Sequence, residues 1–157
     1  MSIKHAVNAH QLLIKGILMK KNTLLNAELS YIIASLGHTD EITICDAGLP
    51  IPDRSQRIDL ALIQGIPTFI DTVKATLAEM QIEGVIVAQE FKTVSPQLHD
   101  ELMTLVQIEE ELRGKPITIS YIPHEEFKSH SHQSKAIVRT GECTPYANVI
   151  FQSGVVF

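Results

Sequence analysis

The chain has 157 residues, a formal net charge of −5 and 45% hydrophobic residues, the makeup of one domain able to bury roughly two thirds of its unfolded surface without disulfide or metal support. No window gathers Lys and Arg beyond pairs such as Lys20-Lys21, so nucleic acid has no electrostatic footprint and a small polar ligand fits better. Cys45 and Cys143 stand far apart, each in or beside an apolar run, which suits reduced thiols in a cytoplasmic protein.

Near the N-terminus, Leu12-Leu13-Ile14 and Ile17-Leu18-Met19 are interrupted by Lys15, and no small-residue cleavage site follows. The stretch reads neither as a signal peptide nor as a membrane span. Met19 stands just before the first well-formed helix pattern, so residues 1–18 read as an N-terminal extension of a domain at 19–157.

Leu29, Ile32, Ile33 and Leu36 recur at helical spacing, with Asn26 placed to cap the start and Gly37 to end it. His38 falls just past that helix. Ile42 and Ile44 alternate with Thr43 and Cys45, predicting a strand that delivers Asp46 at its end. Gly48, Pro50 and Pro52 stiffen the loop that follows. A short strand is expected at Leu60-Ala61-Leu62-Ile63, then a helix opened by Pro67 with Phe69, Ile70, Val73, Leu77 and Met80 on one face.

Gly84 to Ala88 is the continuous apolar run of a strand covered on both faces. Pro96 opens a helix bearing Leu98, Leu102, Leu105 and Leu112, stopped by Gly114 and Pro116. A strand over 117–121, a short helix after Pro123, a strand over 136–138 and a last strand over 148–151 complete the series. This alternation predicts a three-layer α/β/α single domain with a mixed, mainly parallel sheet. Antiparallel pairing is expected because only a loop separates the final two strands. Ser129-His130-Ser131-His132 reads as a flexible polar loop rather than a metal site, since no Cys or carboxylate cluster accompanies it. Gly141-Glu142-Cys143-Thr144 lacks the spacing and the lysine of a phosphate loop.

Polar chemistry concentrates around His38, around Asp46 and in the segment Gly141 to Asn148, each beside a predicted strand. His38 can give and take a proton near neutrality, although a surface histidine satisfies the same pattern. Asp46 can orient a histidine, accept sugar hydroxyls or cap its own loop. His124, between Pro123 and Glu125-Glu126, reads by itself as the solvated first turn of a helix. Tyr146 and Asn148 share one side of an extended segment and offer a phenol and an amide; a buried Tyr and a turn Asn fit them equally well.

Three segments together resemble the ribose pyranase and fucose mutarotase family: Leu36-Gly37-His38-Thr39-Asp40, Cys45-Asp46-Ala47-Gly48-Leu49-Pro50-Ile51-Pro52, and Gly141-Glu142-Cys143-Thr144-Pro145-Tyr146-Ala147-Asn148-Val149-Ile150. Pro96-Gln97-Leu98-His99 and His124-Glu125-Glu126-Phe127-Lys128 match as well. The residues after Asp46 and those flanking Tyr146 point to the ribose branch. The resemblance implies His38 as proton donor and Asp46, His124, Tyr146, Ala147 and Asn148 as sugar contacts. It implies an isomerase that interconverts the six- and five-membered rings of D-ribose with no metal or other cofactor, and a ring-based homo-oligomer, a decamer. The alternatives are mutarotation of another sugar such as L-fucose, or non-catalytic ribose binding in transport. His38 and Asp46 flank one predicted strand and, at about 3.3 Å per residue, could stand more than 20 Å apart. One sugar would then reach both only if the two residues came from neighbouring subunits.

Overall fold

The computed structural model describes residues 20–157, so the segment read as an extension, residues 1–18, lies outside the described residues. A six-stranded sheet organises the rest, with spatial order β2-β5-β1-β6-β3-β4. The strands are β1 (Glu41–Cys45), β2 (Arg57–Asp59), β3 (Ile82–Ala88), β4 (Thr118–Ile122), β5 (Ala136–Arg139) and β6 (Val149–Ser153). The helices are α1 (Ala27–Ser35), α2 (Phe69–Leu77), α3 (Gln89–Val94), α4 (Pro96–Arg113) and α5 (His124–Ser131). β5 lies parallel to both β1 and β2, and β3 lies parallel to β4, whereas β6 runs antiparallel to β1 and β3. Every strand except β6 therefore points the same way. The carboxyl ends of β1, β3, β4 and β5 open at one end of the sheet, where β6 begins.

Side-chain alternation divides the core in two. Ile42 and Ile44 of β1, Ala136 and Val138 of β5, and Val149 and Phe151 of β6 face one side, packing with Leu29 of α1, Phe69 and Val73 of α2, and Leu102 and Val106 of α4. Cys45, Ile137 and Ile150 face the other side, under Phe127 of α5 and Leu49 of the following loop. Helix–sheet–helix layering follows, as expected. β1, β5 and β6 are buried along most of their length because both faces are covered.

Local signals act as predicted at several ends. Asn26 caps α1, its side chain accepting from the Leu29 N–H at 2.8 Å. Gly114 ends α4 at φ 70°, the left-handed conformation that a residue without Cβ adopts freely. Pro96 opens α4, and the preceding Ser95 is pushed out of helical geometry, to φ −129° and ψ 59°. That break separates α4 from α3, a helix the sequence reading passed over.

Four expectations are corrected. The strand expected at Leu60–Ile63 is instead β2, at Arg57–Asp59: the Asp59 carboxylate accepts the Ala61 N–H at 3.1 Å and turns the chain away, leaving Leu62 and Ile63 exposed. The helix after Pro67 is capped by Thr68, whose hydroxyl accepts from the Asp71 N–H, and its first residue is Phe69. Ser129 to Ser131 is no flexible loop but the last turn of α5, with Ser131 fully buried and His130 bonded to Glu41 at 2.9 Å. Antiparallel pairing is present, yet not between the last two strands: the loop from β5 steps over β1, so β6 settles between β1 and β3.

Candidate active site

β1 delivers Asp46 to the carboxyl end of the sheet, beside the segment that enters β6. The two are joined reciprocally: the Asp46 N–H donates to Asn148 Oδ1 at 2.9 Å, and Asn148 Nδ2 donates to Asp46 Oδ2 at 3.2 Å. Asp46 Oδ1 also accepts the Gly48 N–H at 2.9 Å, which closes the loop below it. Partial burial raises the Asp46 carboxyl above its ordinary range, opposed by the hydrogen bonds from Gly48 and Asn148 and by nearby His124. Asn148 is fully buried, so it holds Asp46 from behind, and Ala147, also fully buried, packs its methyl into the main core.

His124 opens α5. Pro123 before it offers no side-chain cap, and Glu90 at the start of α3 supplies the missing acceptor, taking the His124 N–H at 3.0 Å. The His124 ring meets Tyr146 edge-on at 4.9 Å and stacks on Phe127 at 6.4 Å. Its Nδ1 is buried with no hydrogen-bond partner among the described residues, a donor or acceptor ready for a ligand. Tyr146 sits at φ 63°, one of two non-glycine residues with positive φ among those described, the other being Thr39 at φ 70°. Strain of this kind persists only where the surroundings hold it, and it collects at functional sites.

The surroundings here are specific. Glu142 accepts the Phe69 N–H at the start of α2 and the Thr144 hydroxyl, at 3.2 and 2.6 Å, while its carbonyl takes the Ala47 N–H at 2.8 Å. The Ser95 hydroxyl donates to the Pro145 carbonyl at 2.8 Å. A Cβ on Gly141 would strike the Ile66 backbone, so only glycine lets the loop and the 65–67 turn approach this closely. Glu90, Ser95 and Glu142 escaped the sequence reading. Only the Gly-Glu pair at 141–142 hinted at them, because each acts on a backbone group remote in sequence.

His38 stands at the opposite end of β1, on a turn tied to the end of β6 by the Thr39 N–H to Ser153 O bond at 2.9 Å. Its Nε2 lies 2.8 Å from Glu83 Oε1, and its side chain is 54% exposed, so the ring is open to approach. Thus Asp46, His124, Tyr146, Ala147 and Asn148 come together, and His38 does not join them within one chain. Among the described residues no group of three or more His, Cys, Asp or Glu side chains is arranged to hold a metal ion, and no helix is long and apolar enough to cross a membrane.

Such a cluster at the carboxyl ends of parallel strands marks an α/β protein with a candidate site for a small polar ligand. A model described as the RbsD / FucU transport protein family matches residues 19–156, and the chain belongs to that family. A D-ribose pyranase of Aliivibrio fischeri is 88% identical over 139 residues, 88% of this chain and 100% of that relative. One from Photobacterium profundum is 73% identical over the same shares. The solved structure of Bacillus subtilis RbsD complexed with D-ribose superposes with TM-score 0.79 at 46% identity, covering 88% of this chain and 100% of that one. FucU from Bifidobacterium longum, at TM-score 0.70 and 22% identity over 85% of this chain and 97% of its own, shares the fold.

Proposed function

We propose that this protein interconverts the pyranose and furanose forms of D-ribose by acid–base ring opening and reclosure. The reading rests above all on relatives named D-ribose pyranase that are 65–88% identical over their whole length. The chemistry requires only proton transfers. An acid protonates the ring oxygen while a base takes the anomeric hydroxyl proton, the ring opens to the aldehyde, and a different hydroxyl then recloses it. His38 is the acid. Asp46, His124 and Tyr146 face the sugar, with Asp46, His124 or a water held between them taking the proton, while Ala147 and Asn148 shape that side from behind.

The site is completed across a subunit boundary. β1 alone places about 13 Å between its first and last Cα atoms, and His38 and Asp46 lie beyond it on opposite sides. A monosaccharide is much smaller than this span. His38 of one subunit therefore serves Asp46, His124 and Tyr146 of the next, in a cytoplasmic, ring-based homo-oligomer such as a decamer. Exposed Leu25, Tyr31, Leu62, Ile63, Val156 and Phe157, each more than 60% accessible, provide apolar surface for such contacts.

The test mixes two inactive variants, His38→Ala and Asp46→Ala, unfolded and reassembled together. Saturation-transfer NMR on ribose should show exchange between ring forms return in the mixture, because some interfaces regain a complete set; mixtures that stay inactive would sink the shared site. The family description as transport proteins favours one further reading, a ribose-binding accessory without catalysis. In that case the wild-type protein would broaden ribose signals without speeding their exchange.

A further inference from the structure

We propose that Glu83 is the positioning residue of His38, holding the ring through Nε2 so that Nδ1 is the nitrogen that exchanges protons with the sugar. The inference rests on the reading of His38 as the acid. Its geometric basis is a break in the sheet. Ile82 pairs with Ser153 while Gly84 pairs with Gln152, so two steps along β3 match one step along β6, and Glu83 is the extra residue. Such a bulge re-aims one side chain out of the regular alternation. Here it sends a carboxylate toward the turn that carries His38.

Both carboxylate oxygens are engaged from different directions. Oε1 lies 2.8 Å from His38 Nε2, and Oε2 lies 3.5 Å from Arg113 Nη2. Arg113 ends α4 with its side chain only 13% exposed, and its Nη1 donates to the Pro116 carbonyl at 3.1 Å. The carboxylate is thus anchored before it meets the histidine. Ser153 secures both partners: it pairs with Ile82 at the bulge, accepts the Thr39 N–H, and donates its own N–H to the Asp40 carbonyl at 2.8 Å. Thr39, held at φ 70°, directs the chain so that His38 projects toward β3. The other charged groups at this turn face elsewhere. Asp40 accepts the Gly37 N–H at 2.8 Å, and Lys135 stands 3.8 Å from Asp40.

A neutral imidazole carries one N–H, and a carboxylate can only accept, so Glu83 places that proton on Nε2. When the ring is doubly protonated, the proton able to leave toward a sugar is the one on Nδ1. Donation breaks the Nδ1–H bond and forms the O–H bond at the ring oxygen, and reclosure returns the proton to Nδ1, leaving the ring unchanged overall. Partners that orient a working histidine through its second nitrogen commonly matter about 10- to 100-fold, as they do for metal-bound histidines.

Nitrogen-15 NMR of the His38 ring in its neutral form, on the assembled protein, tests this directly. Wild type should show the proton on Nε2, and Glu83→Ala should lose that preference. Turnover should fall about 10- to 100-fold in Glu83→Ala and less in Glu83→Gln, which keeps an acceptor oxygen, while KM stays within about twofold in both. A wild-type ring protonated on Nδ1, or full turnover in Glu83→Ala, overturns the proposal. His38→Asn separates the two levels: if it is inactive while Glu83→Ala is not, only the positioning role falls, and if it remains active, the acid role falls with it.

Discussion

The two ends of β1 are built on different plans. At the carboxyl end Asp46 is held by Gly48, Asn148 and the buried segment entering β6, and His124 is held by Glu90 and two aromatic rings. At the amino end His38 is exposed on a strained turn with one carboxylate partner. One end is a wall of groups fixed by the core, and the other presents an outward-facing imidazole. A proton donor that must reach another molecule's site has to project, whereas groups that read a sugar gain from being fixed before it arrives. The contrast therefore fits the proposed arrangement, in which the amino end of β1 in one copy meets the carboxyl end of β1 in its neighbour.

Substitution should separate the ends most sharply. His38→Ala is expected to lower ring interconversion by at least about 100-fold and leave the stability measured in urea within about 0.5 kcal/mol of wild type. Asn148→Ala should do the reverse in emphasis. It removes both bonds to Asp46 from a fully buried position, costing about 2 kcal/mol of stability and weakening ribose binding. Equal stability losses in the two variants would erase the distinction.

A smaller effect concerns pH. Burial holds the Asp46 carboxyl above its ordinary 3.8, so the folded chain binds that proton more tightly than the unfolded chain does. Stability from this group is then present at low pH and declines as pH rises through the window just above 3.8. Wild-type stability minus that of Asp46→Asn should accordingly fall as pH rises above 3.8. A difference that rises with pH would mean that hydrogen bonding to the carboxylate outweighs its desolvation.

The smallest predicted effect is on thiol reactivity. Burial, with Asp46 adding to it, pushes the Cys45 thiol up to about 12, while Cys143 is exposed and bonded to no other cysteine. At about pH 8 iodoacetamide should label Cys143 and leave Cys45 untouched until urea opens the core. Labelling of Cys45 in the folded protein would show that the carboxyl end of β1 opens locally.

Much of the fold was legible because the signals are local. Asn26, Gly114 and Pro96 act within a turn of their own position, and the Ile42/Ile44 against Thr43/Cys45 alternation marks a two-faced strand whatever its neighbours. The failures were of another kind. Leu60–Ile63 has strand composition, yet the Asp59 side chain ends the strand one residue earlier. The place of β6 depends on which strands compete for it, and adjacency in the chain gave no guide to that.

For the candidate site, the sequence by itself determined which residue types are present and that His38 and Asp46 flank one strand, since period and rise per residue are local properties of the backbone. Only the tertiary structure decided which groups converge. It brought Asn148 behind Asp46 and set His124 against Tyr146. It also placed Glu90 on the His124 amide, and turned Glu83 through a bulge toward His38. The hydrogen bonds among these contacts join residues from 34 to 102 positions apart. Sheet order and the close packing of two faces bring such residues together, and no neighbouring residue in the chain encodes the meeting.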